Sequence, residues 1–272
     1  MTLAVSDFDH IRRVVREESG IVLEAGKEYL VEARLAPVLR ERNLASYAEL
    51  AAELRTKPRG PLTVAVVEAM TTNETTFFRD VTPFEVLRTK VLPELFAARP
   101  NGPLTLWSAA CSSGQEAYSV AMMLRENFDD ASRARVEIIG TDIDAKVLAR
   151  AREGRYSQIE VNRGLPAAYL LRYFAKDGMH WVLREDVRRQ VEFRAMNFVG
   201  EWRGAPFADV ILLRNVLIYF DQPTRQRIVS RMERQLNRGG YLMLGSTESL
   251  QDVDTRFDRV ELGRGVVYRL PG

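Results

Sequence analysis

The sequence predicts an α/β protein: a mainly parallel sheet with helices on both faces, preceded by an all-helical domain and interrupted by a small antiparallel insertion. Three observations predict this. From about residue 102, short apolar runs of strand type alternate with stretches of helical periodicity, the pattern of a parallel sheet built from βα units. Before about residue 72 the apolar spacing is helical throughout and no strand is legible. A length of 272 residues, with 46% hydrophobic and 28% charged residues, suffices for a small domain plus a standard α/β domain.

The N-terminal elements follow in order. Phe8 to Ser19 sets Ile11, Val14 and Val15 at helical spacing. Lys27 to Arg42 is helical in character, and Pro37 should kink or interrupt it. Ser46 to Leu54 opens with Ser46 and Glu49 at capping-box spacing, and Leu62 to Met70 reads as a fourth helix.

The second part begins with a strand at Leu104 to Ala110 and a helix at Glu116 to Leu124. A strand at Val136 to Thr141 and a helix at Ala145 to Arg152 repeat the unit. Trp181–Leu183 and Val187–Phe193 read as two short strands around Arg184-Glu-Asp186, an antiparallel hairpin at about 178–193. The second of these can rejoin the main sheet near Phe193, which makes Ala208 to Leu213 its fourth strand. Asp221 is an N-cap with Pro223 in the first turn, and Asn237-Arg-Gly-Gly240 reads as the C-cap of the helix that ends near Leu236. Gly240 to Gly245 is a further strand, and Val260–Leu262 with Gly265–Leu270 a closing hairpin.

Composition removes several kinds of chemistry. Lys and Arg number 39 against 37 Asp and Glu, so no nucleic-acid footprint is expected. One cysteine, Cys111, allows no intramolecular disulfide, and two distant histidines, His10 and His180, support neither a zinc site nor a histidine triad. No metal is expected. The opening residues lack a basic, then apolar, leader pattern, and no run approaches membrane-spanning length, so a cytoplasmic chain without membrane insertion is expected.

In doubly wound sheets, ligands bind beyond the C-terminal ends of the strands. Those ends carry Ala110-Cys-Ser-Ser-Gly-Gln-Glu116, then Asp142, then Arg214-Asn-Val-Leu-Ile-Tyr219. An acid at the end of the second strand suits ribose hydroxyls. The first loop lacks the G-x-G-x-x-G pattern of dinucleotide sites, and Glu116 would repel a pyrophosphate, so a neutral or cationic ligand portion fits better.

Four blocks together are specific: Thr71-Thr-Asn-Glu-Thr-Thr-Phe-Phe-Arg-Asp80, Trp107 to Ser119, Gly140-Thr-Asp-Ile-Asp144, and Arg214 to Asp221. In this order they resemble the CheR-type chemoreceptor glutamate methyltransferases over nearly the whole chain. The resemblance implies a Rossmann-like S-adenosylmethionine (SAM)-dependent methyltransferase domain at 102–272, an N-terminal helical receptor-docking domain at 1–72, and a linker and cofactor-contacting segment at 73–101. It implies SAM as cofactor, S-adenosyl-L-homocysteine as its product, and glutamates on the cytoplasmic helical bundle of methyl-accepting chemoreceptors as substrate; a monomer is expected. Asn73, Thr75 and Arg79 then look like contacts to the cofactor, with Arg79 able to pair bidentately with a carboxylate. Glu116, Asp142, Asn197, Phe198, Asn215 and Val216 resemble the remaining cofactor contacts, and Tyr219 the tyrosine near the transferred methyl group, with Arg79 beside it in catalysis.

In this family a basic helix of the N-terminal domain docks on the receptor. Lys27 and Arg34, seven residues apart, would share a helix face with Arg42 about 80° further round. Some members hold a receptor peptide tether on the inserted subdomain through a glycine-containing loop. The expected connection here, Arg184-Glu-Asp186, has no glycine, so no tether binding is expected. Two other functions remain open on the sequence: a SAM-binding regulator without catalysis, and a methyltransferase acting on another protein or a small molecule.

Overall fold

The structure, a computed structural model, describes residues 2–272. Helices α1 (Val5–Ser19), α2 (Glu28–Arg42), α3 (Tyr47–Thr56) and α4 (Pro61–Met70) enclose a core of their own around Ile11, Val31, Leu35, Leu50 and Val66. α1 buries Phe8, Ile11, Val14 and Val15 on one face and stops at Gly20, which takes a left-handed conformation at φ 77°. Pro37 does not interrupt α2, which runs on to Arg42. At α3, Ser46 accepts the Glu49 N–H, but the Glu49 carboxylate accepts from Ala45 N–H at 2.6 Å instead of from Ser46, so the box closes one residue early.

Residues 73–101 are more than a linker. α5 (Thr82–Val86), a π-helical turn (Leu87–Val91) and α6 (Leu92–Ala98) follow one another without a break and bury Phe84, Leu87, Val91 and Leu92. Pro83 and Pro93 hide this rod from periodicity. The wide π turn just before Pro93 accommodates a residue that has no N–H to donate.

The remaining elements are β1 (Leu104–Ala109), α7 (Gln115–Asn127), α8 (Asp130–Ala134), β2 (Val136–Asp142), α9 (Ala145–Glu153), β3 (Arg155–Ser157), α10 (Gln158–Asn162), α11 (Ala167–Tyr173), β4 (Phe174–Asp177), β5 (His180–Leu183), α12 (Glu185–Arg188), β6 (Val191–Ala195) and β7 (Ala208–Leu213). A 3-10 turn (Leu217–Tyr219), α13 (Gln222–Gln235), β8 (Leu236–Leu244), β9 (Asp258–Leu262) and β10 (Gly265–Arg269) complete the chain. Seven strands form the main sheet in the order β6-β2-β1-β7-β8-β10-β9. The first five are mutually parallel, and β10 and β9 add antiparallel at one edge. Alternation along the strands splits the core: Leu106, Val210, Leu212 and Met243 face α7 and the π-helical rod, whereas Trp107, Ile211, Leu213 and Leu242 face α13. Among the described residues no helix is long and apolar enough to cross a membrane.

Two expectations need correction. The antiparallel insertion is not a hairpin at 178–193. It is a three-stranded sheet, β3-β5-β4, in which Asp177 pairs with His180 across the two-residue turn Gly178-Met179. Glu185–Arg188, expected to sit in a turn and strand, is the helix α12, with Val187 its buried residue. β6 does rejoin the main sheet, beside β2, so β7 is its fourth strand in chain order. The second correction concerns Asn237–Gly240. α13 ends at Gln235, but β8 starts at once, and these residues form an irregularity in the β7–β8 pairing between Ala208 and Val210. Gly240 belongs there because a Cβ would stand 2.8 Å from the carbonyl oxygens of Asn237 and Asp209.

Candidate active site

Strand order reverses between β1 and β7, which places the switch point of the sheet above their C-terminal ends. A cleft lies there, roofed by Ser19 and Ile21 from the N-terminal domain and by the segment from Thr71 to Thr76. All ten residues expected at the site line this one cavity: Asn73, Thr75, Arg79, Glu116, Asp142, Asn197, Phe198, Asn215, Val216 and Tyr219. They come from positions up to 146 residues apart (219 − 73), so only the fold brings them together.

The loop after β1 is built from left-handed backbone: Ala110 at φ 63°, Ser112 at φ 50° and Gly114 at φ 90°. The first two lack the freedom of glycine, and such strain, of order 1–3 kcal/mol each, gathers at ligand clamps. This bend turns the Ser112 N–H onto Asp142 Oδ2 at 2.8 Å, while Asp142 Oδ1 accepts from Asp144 N–H at 3.1 Å. Burial pushes the Asp142 carboxyl above its ordinary range, against the pull of these two hydrogen bonds. Cys111 is fully buried, and that burial drives its thiol well above the ordinary range.

Glu116 is half of a network that sequence reading missed. Its carboxylate accepts from Ser108 Oγ at 2.7 Å and from Arg214 Nη1 at 2.7 Å. Arg214 Nη2 donates to the Arg79 carbonyl at 2.6 Å and to Asp80 at 2.9 Å, and Nε is buried without a partner among the described residues. Arg214 thereby ties the chain at Arg79-Asp80 to α7 and β7. Arg79 itself donates to one carbonyl, Glu74 O at 3.2 Å, which leaves most of its guanidinium donors available.

Asn73 and Asn197 line the cavity, but their amide groups are engaged. Asn73 Nδ2 donates to Asp144 at 2.8 Å, and its backbone carbonyl accepts from Ser112 Oγ at 2.9 Å. Asn197 Nδ2 donates to the Glu18 carbonyl at the end of α1 at 2.6 Å, and its Oδ1 accepts from Val199 N–H. Asn197 therefore pins the end of α1 over the cavity, and Asn73 holds the chain there just as it leaves the N-terminal domain. Tyr219 ends the 3-10 turn, and its carbonyl accepts from Val22 N–H at 2.9 Å, a third tie between the two domains.

The expected docking residues do not make a shared basic face. Lys27 precedes α2 and pairs with Glu24 at 2.6 Å. Arg34 turns inward, donating to the Met70 and Thr71 carbonyls at 2.7 and 3.0 Å and to Thr72 Oγ1 at 3.0 Å. Arg42 is exposed and reaches the Pro61 carbonyl at 3.2 Å. Helical spacing alone could not show that the chain after α4 passes beneath Arg34.

Residues 6–71 match the family CheR methyltransferase, all-alpha domain, and residues 73–266 match CheR methyltransferase, SAM binding domain. The chain is 40% identical over 274 residues to chemotaxis protein methyltransferase 1 of Pseudomonas aeruginosa, covering 99% of each chain. It is 37% identical to chemotaxis protein methyltransferase Cher2 of Pseudomonas putida, covering 97% of each, and 38% identical to a chemotaxis protein methyltransferase of Vibrio parahaemolyticus, covering 99% of this chain and 98% of that one. The chain belongs to the CheR methyltransferase family, and SAM is its cofactor.

Proposed function

We propose that this CheR methyltransferase esterifies glutamate side chains on the cytoplasmic helical bundles of chemoreceptors, in the cytoplasm and as a monomer, and so serves chemotactic adaptation. The observation that carries the reading is the convergence of Arg79, Glu116, Asp142, Asn215 and Tyr219 on one cavity at the switch point. The donor set fits the cofactor. The free guanidinium donors of Arg79 suit its carboxylate, Glu116 suits its ammonium group, and the buried Asp142 carboxylate suits ribose hydroxyls. Val216 and Phe198 offer apolar surface for the adenine.

SAM supplies a methyl group activated on a sulfonium. The nucleophile is then a glutamate carboxylate, ionised at neutral pH, so no general base is required, and neither histidine lines the cavity. What the protein contributes is placement and exclusion of water. Tyr219 and Arg79 orient the incoming carboxylate, and the roof from α1 and Thr71–Thr76 keeps solvent out.

The test uses tritiated SAM with a cytoplasmic receptor fragment from the same organism. Base-labile label that disappears when the receptor glutamates are replaced by alanine is the expected result. Cofactor binding without any labelled receptor would favour a silent SAM-binding regulator, and base-stable label would exclude an ester.

A further inference from the structure

Glu248 lies four residues beyond the end of β8 and is half-buried, outside every segment that resembles the family blocks and outside the cavity lining. Its carboxylate accepts four backbone N–H groups. Oε2 takes those of Asn215 at 2.6 Å and Gly245 at 2.8 Å, and Oε1 those of Val216 at 2.9 Å and Leu217 at 2.8 Å. Four donors match the lone-pair capacity of one ionised carboxylate, and each bond is charge-assisted.

Three of these donors are consecutive and open the turn that ends at Tyr219. Asn215 stands in the left-handed region at φ 56°, a conformation that persists only where the surroundings impose it. The surroundings here are this carboxylate. Gly245 makes room for the arrangement, because a Cβ there would lie 2.6 Å from Asn215 Nδ2 and 2.8 Å from Glu248 Oε2.

We propose that Glu248 is the positioning residue of the methyl-transfer loop. It sets how Asn215 and Val216 meet the cofactor and where Tyr219 stands, without touching either reactant. The inference rests on the assignment of Asn215, Val216 and Tyr219 to the site.

Glu248→Gln tests it with little change of shape. The amide keeps one acceptor and turns an NH2 toward two N–H groups, so two attractive contacts become repulsive. S-adenosylhomocysteine binding, measured by calorimetry well below the melting temperature, should weaken about tenfold or more. Turnover at saturating SAM should fall as well. A role confined to stability would lower the melting temperature and leave both values unchanged.

A double-mutant cycle with Asn215→Ala adds the specific readout. If Glu248 acts through Asn215, its substitution costs less affinity when Asn215 is already alanine, whereas independent effects multiply. Gly245→Ala serves if Glu248→Gln does not fold, since it displaces the same two side chains and keeps the charge. Wild-type protein that binds no S-adenosylhomocysteine would overturn the site assignment itself. Wild-type protein that binds, with Glu248→Gln or Gly245→Ala binding and turning over equally well, would overturn the role of Glu248 alone, and a strictly multiplicative cycle would move its action from Asn215 to Val216 and Tyr219.

Discussion

A buried carboxylate is a cost to an empty site and an asset to a filled one, and Asp142 shows both sides. Its carboxyl is raised by burial, so the protonated form is favoured in the fold. By linkage, what Asp142 contributes to stability is fully present below its unfolded pKa, ~3.9, and is lost as pH rises through the higher folded value. Ribose hydroxyls need the ionised form as acceptor, which gives the opposite dependence for binding. SAM affinity should therefore decline as pH falls through a range above the usual aspartate one, and Asp142→Asn should abolish that decline; calorimetry across mildly acidic pH checks both. Asp142→Ala and Arg79→Ala should each cost about 1.5–3 kcal/mol of SAM binding with unchanged circular dichroism. Tyr219→Phe should lower turnover more than SAM affinity, as steady-state kinetics beside calorimetry would show. Asp142 was singled out because a carboxylate at the end of an apolar strand is odd for its place, whereas Arg79 and Tyr219 came only from the resemblance of their segments to the family blocks. Arg214 and Glu248 were not singled out, because what defines them is partners 98 and 33 residues away, Glu116 for one and the Asn215 N–H for the other.

Elements were legible in proportion to their length and periodicity. α1, α7, α9 and the strands β1, β2 and β7 carry strong apolar patterns, and their sequence-read cores sit where expected. β3 is three residues long and β4 and β5 are four each, too short for alternation to reveal pairing, so the insertion was misplaced. The junction after α4 gives the sharpest case. Arg34 was read as a docking charge, yet it grips two terminal carbonyls and Thr72 at the point where the chain leaves the helical domain for the cavity roof. Arg34→Glu should therefore destabilise the protein by about 1–2 kcal/mol after allowance for partial exposure, and weaken SAM binding through the displaced roof. Lys27→Glu, whose ion pair is with exposed Glu24, should change neither. Thermal melts and SAM titrations of the two variants side by side decide this. Equal behaviour would mean that the Arg34 contacts do not hold the roof.

At the scale of the whole molecule, the question is how a nearly neutral enzyme, with a formal charge of +2, finds its receptor. A peptide tether would raise the local concentration of enzyme, into the millimolar range for short flexible linkers. The place for such a tether would be the β3-β5-β4 subdomain. Its turn does contain a glycine, Gly178 at φ 57°, contrary to expectation, but Gly178 and Met179 are the entire connection. Two residues close a hairpin and leave no loop to fold over a peptide. Recognition then falls to direct docking of the N-terminal domain, where Lys27 and Arg42 remain exposed while Arg34 is occupied. Methylation should thus proceed equally on receptors with and without their C-terminal residues, and should slow as salt screens exposed charges over about 8–10 Å. The double reversal Lys27→Glu with Arg42→Glu should slow it further at low salt and leave SAM affinity unchanged. The measurement is the initial rate of methylation on one receptor, intact or truncated at its C-terminus, at low and high salt. If truncation causes a large loss while salt and the charge reversals do nothing, the enzyme is held through the β-subdomain, and the two-residue turn is no obstacle to it.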